Sequence, residues 1–572
     1  MLPQALPILT AQGILTVITN WNDYMTSFLY LKNNPTVAYG VNALSNQFSN
    51  AYPVVFAALF MTSAVTLLLF ACFNKKNHEQ YVCGGIERMK KGWKRIASML
   101  GLLMSGVAMF AFVGCADSAE KPKDEKPQDE KAQIDYEQYK DKHYIDIAAW
   151  GFPTLEYDEQ NGYDTEANNA FVQDMKEAGF TIVNHAGRSN LCPGVHGSAE
   201  EVEGLISQRI ELFEQNGLKS AVYCSNYLKG GVDGRGAAWW DFDLTGMPDF
   251  SDSEGFYGLL VWDEPYPEVM TKLASYAEMF NETYSGTDAV FMVNLYPSYA
   301  GIFSSGGYSD YLKNYCETVL SVVDGTKYLS VDSYAIRADK QLETYLLYDI
   351  AMVKKYSLEY GALSHICLQS SMTSTKNRIP EQSEYSVQAY AALALGMDSI
   401  SWYTYITPEE DGYGDGSAPV DQDGTKNAAY ESLKKVNNDI AAFGYAYKCF
   451  DWKGVVLNPV TQMSAMNLIL KNRELIDYVY TADDLNTISS IESEQDYMMG
   501  VMEDENGDEG FLLVNYCSLA DARDSSIDIH FTEADSVMIW RNGEKQTVSL
   551  ENNSITLTLA QGEGVFMVPV RK

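Results

Sequence analysis

From Tyr144 to Phe443, short apolar runs rich in β-branched residues alternate with segments whose apolar residues recur at spacings of three and four. The runs Tyr144–Ala149, Thr181–Asn184, Ser220–Cys224, Tyr257–Trp262, Ala289–Leu295, Tyr328–Asp332, His365–Gln369 and Ser399–Tyr403 predict eight strands. Asn169–Ala178, Glu200–Gln215, Pro267–Tyr284, Ser309–Val323, Lys340–Tyr360, Glu384–Leu395 and Asn427–Phe443 predict helices, with Gly217, Gly361 and Gly396 at C-cap positions. Between the third and fourth strands Gly230–Ser253 has the pattern of a long aromatic loop. Strands alternating with helices imply a parallel sheet, and eight units close into an α/β fold of the (β/α)8 TIM-barrel type, placed at residues 141–451. Beyond Asp451 the helical period disappears. Gly454–Leu457, Gly510–Asn515, Ser525–Phe531, Ser536–Trp540, Thr547–Leu550, Ser554–Leu559 and Gly564–Val570 predict short strands, with a hairpin turn at Asn542-Gly543, and residues 452–572 are expected to form an antiparallel β-sandwich.

The start of the chain has another pattern. Leu6–Leu31, broken by Asn20, Asn22 and Asp23, and Tyr52–Phe73 are long apolar stretches. The second reaches the roughly 20 residues needed to cross a bilayer. Lys75, Lys76, Arg88, Lys90, Lys91, Lys94 and Arg95 come after it, which by the positive-inside rule marks the cytoplasmic side. A third run, Ile96–Val113, leads through Gly114 to Cys115 and then into a Lys/Glu/Asp/Pro-rich stretch. Counted from Met89, a basic region, an apolar region, a small residue and a cysteine succeed one another, the layout of a secretory signal. This segment resembles a bacterial lipoprotein signal, with Cys115 as the lipid-bearing residue and Phe112 where an aliphatic residue is usual. Ahead of it, Leu6-Pro7-Ile8-Leu9-Thr10, Asn20-Trp21-Asn22-Asp23-Tyr24-Met25 and Gly84-Gly85-Ile86 resemble the C-terminal end of a carbohydrate ABC transporter permease. That family's cytoplasmic coupling loop and most of its spanning helices have no counterpart here, so transport by this chain alone is not implied. The expected organisation is a truncated permease-like membrane segment (1–88), a signal peptide (89–115), a charged linker (116–140), barrel and sandwich, with two neighbouring reading frames joined at Met89. Peptides spanning Glu87–Lys94 in the native protein would overturn that junction.

Charge divides the chain at the same place. Of 41 basic and 77 acidic residues, residues 1–116 hold 8 and 3, leaving 33 and 74 for the remainder. A basic apolar head suits a membrane. The acidic body repels phosphates, which excludes nucleic acid as its partner. Nine cysteines without a CxxC pair imply neither a zinc site nor a disulfide framework, and no metal or other cofactor is expected.

In a TIM barrel the chemistry sits at the C-terminal ends of the strands. The fourth strand ends Leu260-Val261-Trp262-Asp263-Glu264-Pro265, placing two adjacent carboxylates at the mouth. Partial burial and mutual repulsion there raise a carboxyl toward general-acid service, whereas a helix cap needs one carboxylate at most. With aromatic residues closing strand eight and a sandwich behind the barrel, Tyr144–Lys572 resembles the glycoside hydrolases. The resemblance implies Glu264 as acid. A retaining enzyme of this type would carry its nucleophile as a Glu ending strand seven, where this chain has Leu368-Gln369-Ser370-Ser371. In hexosaminidases that use substrate assistance, a consecutive Asp-Glu pair ends strand four. Asp263 would then orient the acetamido group that attacks the anomeric carbon while Glu264 protonates the leaving oxygen. Alternatively Asp332, ending strand six, is the second carboxylate, inverting if about 6.5–9.5 Å from Glu264 and retaining if near 5 Å. Asp332 as an interior residue bonded to Tyr334 or Arg337 is the remaining alternative.

Sugar rings need apolar faces and hydroxyl partners. Trp150, Trp239, Trp240, Tyr296, Tyr334, Trp402, Tyr403 and Tyr405 all fall on the expected mouth, with Asn184, His185, Asn294 and the neutral Gln369 as hydrogen-bonding candidates. The expected protein is an extracytoplasmic, membrane-anchored glycosidase acting on an oligosaccharide whose products sugar ABC transporter components import. A non-catalytic glycan-binding surface lipoprotein is the alternative, since fold alone does not establish activity. A permease fragment fused to the body is a third reading.

Overall fold

A computed structural model describes residues 133–570 apart from 186–190, 192–195, 224–246, 304–306, 340–344, 375–376, 409–415, 461–463, 518–522 and 533. The expected membrane segments, the signal with Cys115, most of the charged linker, and Trp239 and Trp240 lie outside the described residues. Among the described residues no helix is long and apolar enough to cross a membrane.

Eight parallel strands close into a barrel in sequence order: β1 (Asp146–Trp150), β2 (Ile182–His185), β3 (Lys219–Tyr223), β4 (Phe256–Asp263), β5 (Val290–Leu295), β6 (Tyr328–Ser333), β7 (Leu363–Gln369) and β8 (Ser399–Tyr403), with β8 paired back to β1. Side chains alternate across a strand, so every second residue enters the lumen. Ala148, Ile182, Ala221, Leu260, Val290, Met292, Tyr328 and Cys367 fill it. The residues between them, among them Val183, Val222, Leu259, Phe291, Leu329, Ile366 and Ile400, join the core shared with the surrounding helices.

Those helices are α1 (Glu166–Glu177), α2 (Ala199–Gln215), α3 (Met270–Tyr284), α4 (Gly307–Tyr315), α5 (Leu346–Tyr360), α6 (Gln382–Ala394) and α7 (Ala428–Tyr447). Their starts carry local chemistry that satisfies orphan N–H groups. Ser198 and Glu201 form a reciprocal capping box on α2, and Glu381 and Glu384 form another on α6. Gly361 ends α5 in the left-handed region at φ 64°, as its C-cap position requires. The expected helix Ser309–Val323 is α4 continued by a π-turn at Cys316–Leu320.

The C-terminal residues form two facing sheets. The larger has the order β10 (Val479–Tyr480), β9 (Phe450–Asn458), β12 (Tyr497–Asp504), β13 (Glu509–Asn515), β18 (Gly564–Val570), β15 (Ser536–Arg541), β16 (Glu544–Ser549). The smaller has the order β11 (Ile488–Glu492), β14 (Ser525–Phe531), β17 (Ser554–Leu559). Val501, Phe511, Val537 and Met567 of the first meet Ile488, Ile527, Ile529 and Leu557 of the second in a separate apolar core. The sandwich pattern therefore stands, but the central strand β12 was not among the expected strands. Its sequence Tyr-Met-Met-Gly-Val-Met is nearly all buried, so neither alternation nor β-branching marks it. The outer face of the larger sheet lies directly on α6. Trp452 Nε1 donates to Ala394 O at 2.9 Å, and a Cβ on Gly500 would stand 2.4 Å from that same carbonyl oxygen.

Candidate active site

The chemistry at the end of β4 depends on a break in strand phase. Leu260 pairs with Met292, but Trp262 pairs with Val293 and Asp263 with Asn294, so Val261 is an extra residue in β4. Val261 and Trp262 both pack into the outer core, Trp262 stacking on Tyr276 with centroids 6.4 Å apart. A bulge of this kind re-aims the side chains beyond it. Without it the alternation from Leu260 would turn Asp263 outward; with it, Asp263 shares the face of Asn294.

Asn294 and Ser330 fix that carboxylate. Asn294 Nδ2 donates to Asp263 Oδ1 at 3.0 Å, and Ser330 Oγ donates to Asn294 Oδ1 at 2.8 Å. This chain of donors orients the amide and leaves Asp263 an acceptor. Glu264 sits in the left-handed region at φ 49°, a conformation costing a side-chain-bearing residue about 1–2 kcal/mol. Its N–H holds to Asn294 O at 2.7 Å, which extends the β4–β5 ladder through the bend. Glu264 and Asp332 act on each other electrostatically, and Tyr334 also acts on Asp332.

Three carboxyls thus converge from two strand ends. Burial pushes Asp263 up to about 6, opposed by the donation from Asn294. Burial, reinforced by the charge of Asp263, pushes Glu264 up to about 7, while its interaction with Asp332 pulls the other way. Asp332 is the deepest, and burial with the charges of Glu264 and Asp263 raises it well above the ordinary carboxylate range. The cluster therefore holds protons near neutrality, which suits proton donation to a leaving oxygen.

Asp332, at the end of β6, is raised by burial and by the charges of both Glu264 and Asp263, which makes it a member of the same cluster. Of the two interior neighbours weighed for it, Tyr334 acts on Asp332 electrostatically, and Arg337 lies 3.5 Å from Asp339.

Trp150, Tyr334 and Tyr403 meet over the lumen: Tyr403 contacts Trp150 edge-on at 5.8 Å and Tyr334 at 5.3 Å, while Trp150 Nε1 donates to Ser401 Oγ at 3.2 Å. Asn184 and Asn294 also face inward, lining a small cavity beneath the mouth with Ser330 and His365. His365 was not singled out from sequence; bonded to Ser399 and Ser401 at 2.8 Å each and pushed down to about 3 by burial, it is a neutral interior strut.

Four candidates are corrected. Trp402 turns outward, fully buried, donating from Nε1 to Asn437 Oδ1 at 2.9 Å. His185 likewise faces the outer layer between Phe152 and Phe213, and burial pushes it down to about 3. Both are strand neighbours of inward residues, Tyr403 and Asn184, and alternation forbids adjacent residues from sharing a face. Tyr405 is buried edge-on against Phe180 at 5.2 Å. Gln369 spends its amide on the chain: Nε2 donates to Ser371 O at 3.0 Å and Arg378 O at 2.8 Å, and Oε1 accepts from Ile336 N at 2.8 Å. It staples the β6 and β7 loops and has no group left to offer a sugar. Sequence reasoning missed Tyr266 and Tyr299, two half-exposed rings on the loops after β4 and β5. The position of Tyr266, two residues beyond Glu264, was the available signal.

No family model matches the chain, and no curated protein matches it. Solved structures similar to it include a catalytic mutant of Gan42B, a GH42 β-galactosidase from G. stearothermophilus (9% identity, 75% of this chain and 98% of that one, TM-score 0.45). Others are a polyextremophilic β-galactosidase from Halorubrum lacusprofundi (9%, 74% and 99%, 0.41) and a family 39 glycoside hydrolase from Bacteroides cellulosilyticus (12%, 75% and 82%, 0.36).

Proposed function

We propose that the barrel hydrolyses a glycosidic bond, with Glu264 as general acid and the substrate's own 2-acetamido group as nucleophile. The observation that carries this reading is the carboxyl cluster: Glu264 is raised to about 7 beside an Asp263 that Asn294 holds as an acceptor. Asp263 receives the acetamido N–H, and the acetamido oxygen forms a bond to the anomeric carbon. The bond to the leaving oxygen breaks as Glu264 delivers its proton there. Water then opens the cyclic intermediate, with the Glu264 carboxylate taking a proton back. Support for an internal nucleophile comes from β7, whose last side chain is fully engaged with backbone.

The wild-type protein, assayed on aryl glycosides and natural oligosaccharides, is expected to cleave 2-acetamido sugars and to spare their 2-hydroxy counterparts. Equal cleavage of both would move the nucleophile elsewhere. Glycan binding without cleavage would establish the second reading, a non-catalytic glycan-binding protein, which the same engaged Gln369 motivates.

The pH profile is set by the two raised carboxyls. Asp263 must be ionised, so kcat/KM rises through about 6, and Glu264 must be protonated, so it falls through about 7. Asp263→Asn is expected to abolish the acidic limb and to move the alkaline limb down, because the charge that helps raise Glu264 is gone. An alkaline limb that stays in place would separate the two groups. On the sequence order around Cys115, the reading extends to a lipid-anchored extracytoplasmic protein whose products pass to sugar transporter components.

A further inference from the structure

The carboxyls have aromatic neighbours on two sides, and the sides differ in exposure. Trp150 and its partners lie over the lumen, and Trp150 is buried. On the rim, Tyr266 is 45% exposed and meets Tyr296 edge-on at 5.6 Å. Tyr266 lies two residues beyond Glu264 and Tyr296 two beyond Asn294, whose carbonyl accepts from Glu264 N at 2.7 Å, which places this pair beside the acid; Tyr296 is raised by burial and by the charge of Glu264. Tyr311 ties their loops together: its hydroxyl donates to Pro265 O at 2.7 Å and accepts from Tyr296 N at 3.3 Å. Farther along, Tyr299 is 41% exposed, and its hydroxyl accepts from Tyr334 N at 3.0 Å.

An exposed ring braced from behind by a second ring and a buried tether is a rigid apolar face, costing little entropy when a ligand stacks on it. Its place next to Glu264 says which part of a substrate meets it. The acid must reach the oxygen that departs, so the ring adjoining the acid on its outer side faces the departing half of the molecule.

We propose that Tyr266, braced by Tyr296, is the stacking platform for the leaving-group sugar, making the site selective for oligosaccharides over monosaccharide derivatives. This rests on the glycosidase reading above. The test compares two substrates of whichever sugar the wild-type protein cleaves: the natural oligosaccharide, and the glycosyl fluoride, whose leaving group needs no protonation and is too small to touch the rim. Tyr266→Ala is expected to lower kcat/KM on the oligosaccharide about 10-fold or more, mainly through KM, the size of a lost stacking contact of about 1.4 kcal/mol. It should leave the fluoride unchanged. Tyr266→Phe, which keeps the face and its edge-on contact with Tyr296, should retain most of the oligosaccharide rate. An unchanged oligosaccharide KM in the alanine variant, or an equal loss on both substrates, would overturn the platform while leaving the glycosidase reading intact. A wild-type protein that cleaves neither substrate would overturn both.

Discussion

Glu264→Gln is expected to lower kcat on oligosaccharides by about 10²–10⁴-fold, the range spanned by a positioned general acid, or roughly 3–5 kcal/mol of transition-state stabilisation. The loss should shrink on aryl glycosides with good leaving groups, which depart without a proton. Gln keeps the shape of Glu and the backbone bond to Asn294 O, so the site geometry survives. A second readout separates lost chemistry from lost folding. Because the folded protein raises the Glu264 carboxyl, it binds this proton more tightly than the unfolded chain does. Stability from this group is therefore present at low pH and declines as pH rises toward about 7. Above that, ionised Glu264 beside Asp263 and Asp332 is a burden that Gln removes. The variant should consequently be nearly inactive and yet melt higher than wild type at pH 8. Full oligosaccharide rate in Glu264→Gln would remove Glu264 from the role of acid.

The second large effect is on stability and arises far from the mouth. A Cβ on Gly500 would lie 2.4 Å from the Ala394 carbonyl oxygen and 2.9 Å from its Cα. Both obstacles are backbone at the last residue of α6, so no side chain can swing aside. Gly500→Ala should cost about 3 kcal/mol, the upper part of the range for overpacking, read as a lower denaturant midpoint at unchanged slope. Gly204→Ala, at a helical position with nothing within 4 Å, is the matched control and should not destabilise. Activity should fall with Gly500→Ala as well. From α6, Gln388 Oε1 accepts from Gln369 N at 3.1 Å and the Tyr385 hydroxyl donates to Ser370 O at 2.8 Å, so a displaced α6 pulls on the end of β7. A wild-type midpoint would mean that the sheet and α6 do not meet this closely.

Much of this was legible in the chain because barrels are periodic. Eight apolar runs at regular intervals, most of them leading into a helical pattern, leave few other closures, and the strand ends then nominate the mouth. What the period could not supply is which of two neighbours faces in. Asn184 and His185, or Trp402 and Tyr403, are equally placed by a list of strand ends; one partner must turn outward, and only the observed phase says which. Gln369 has the inward parity yet is consumed by loops whose course no local pattern announces. The meeting of Glu264 with Asp332 is a relation between two strands, invisible to either. β12 escaped notice because methionine and glycine carry no strand signature when both faces are buried.

The extra residue Val261 carries one more consequence, for chain length rather than side-chain identity. Removing a residue from a regular barrel strand inverts every position beyond the cut. In β4 the residue before the bulge and the carboxylate after it already belong to different phases, so a chain shorter by Val261 alone would still present Leu260 and Asp263 to the lumen. Divergence of this segment can proceed by loss of a residue as well as by replacement. The feature that survives is the meeting of the strand's last carboxylate with Asn294.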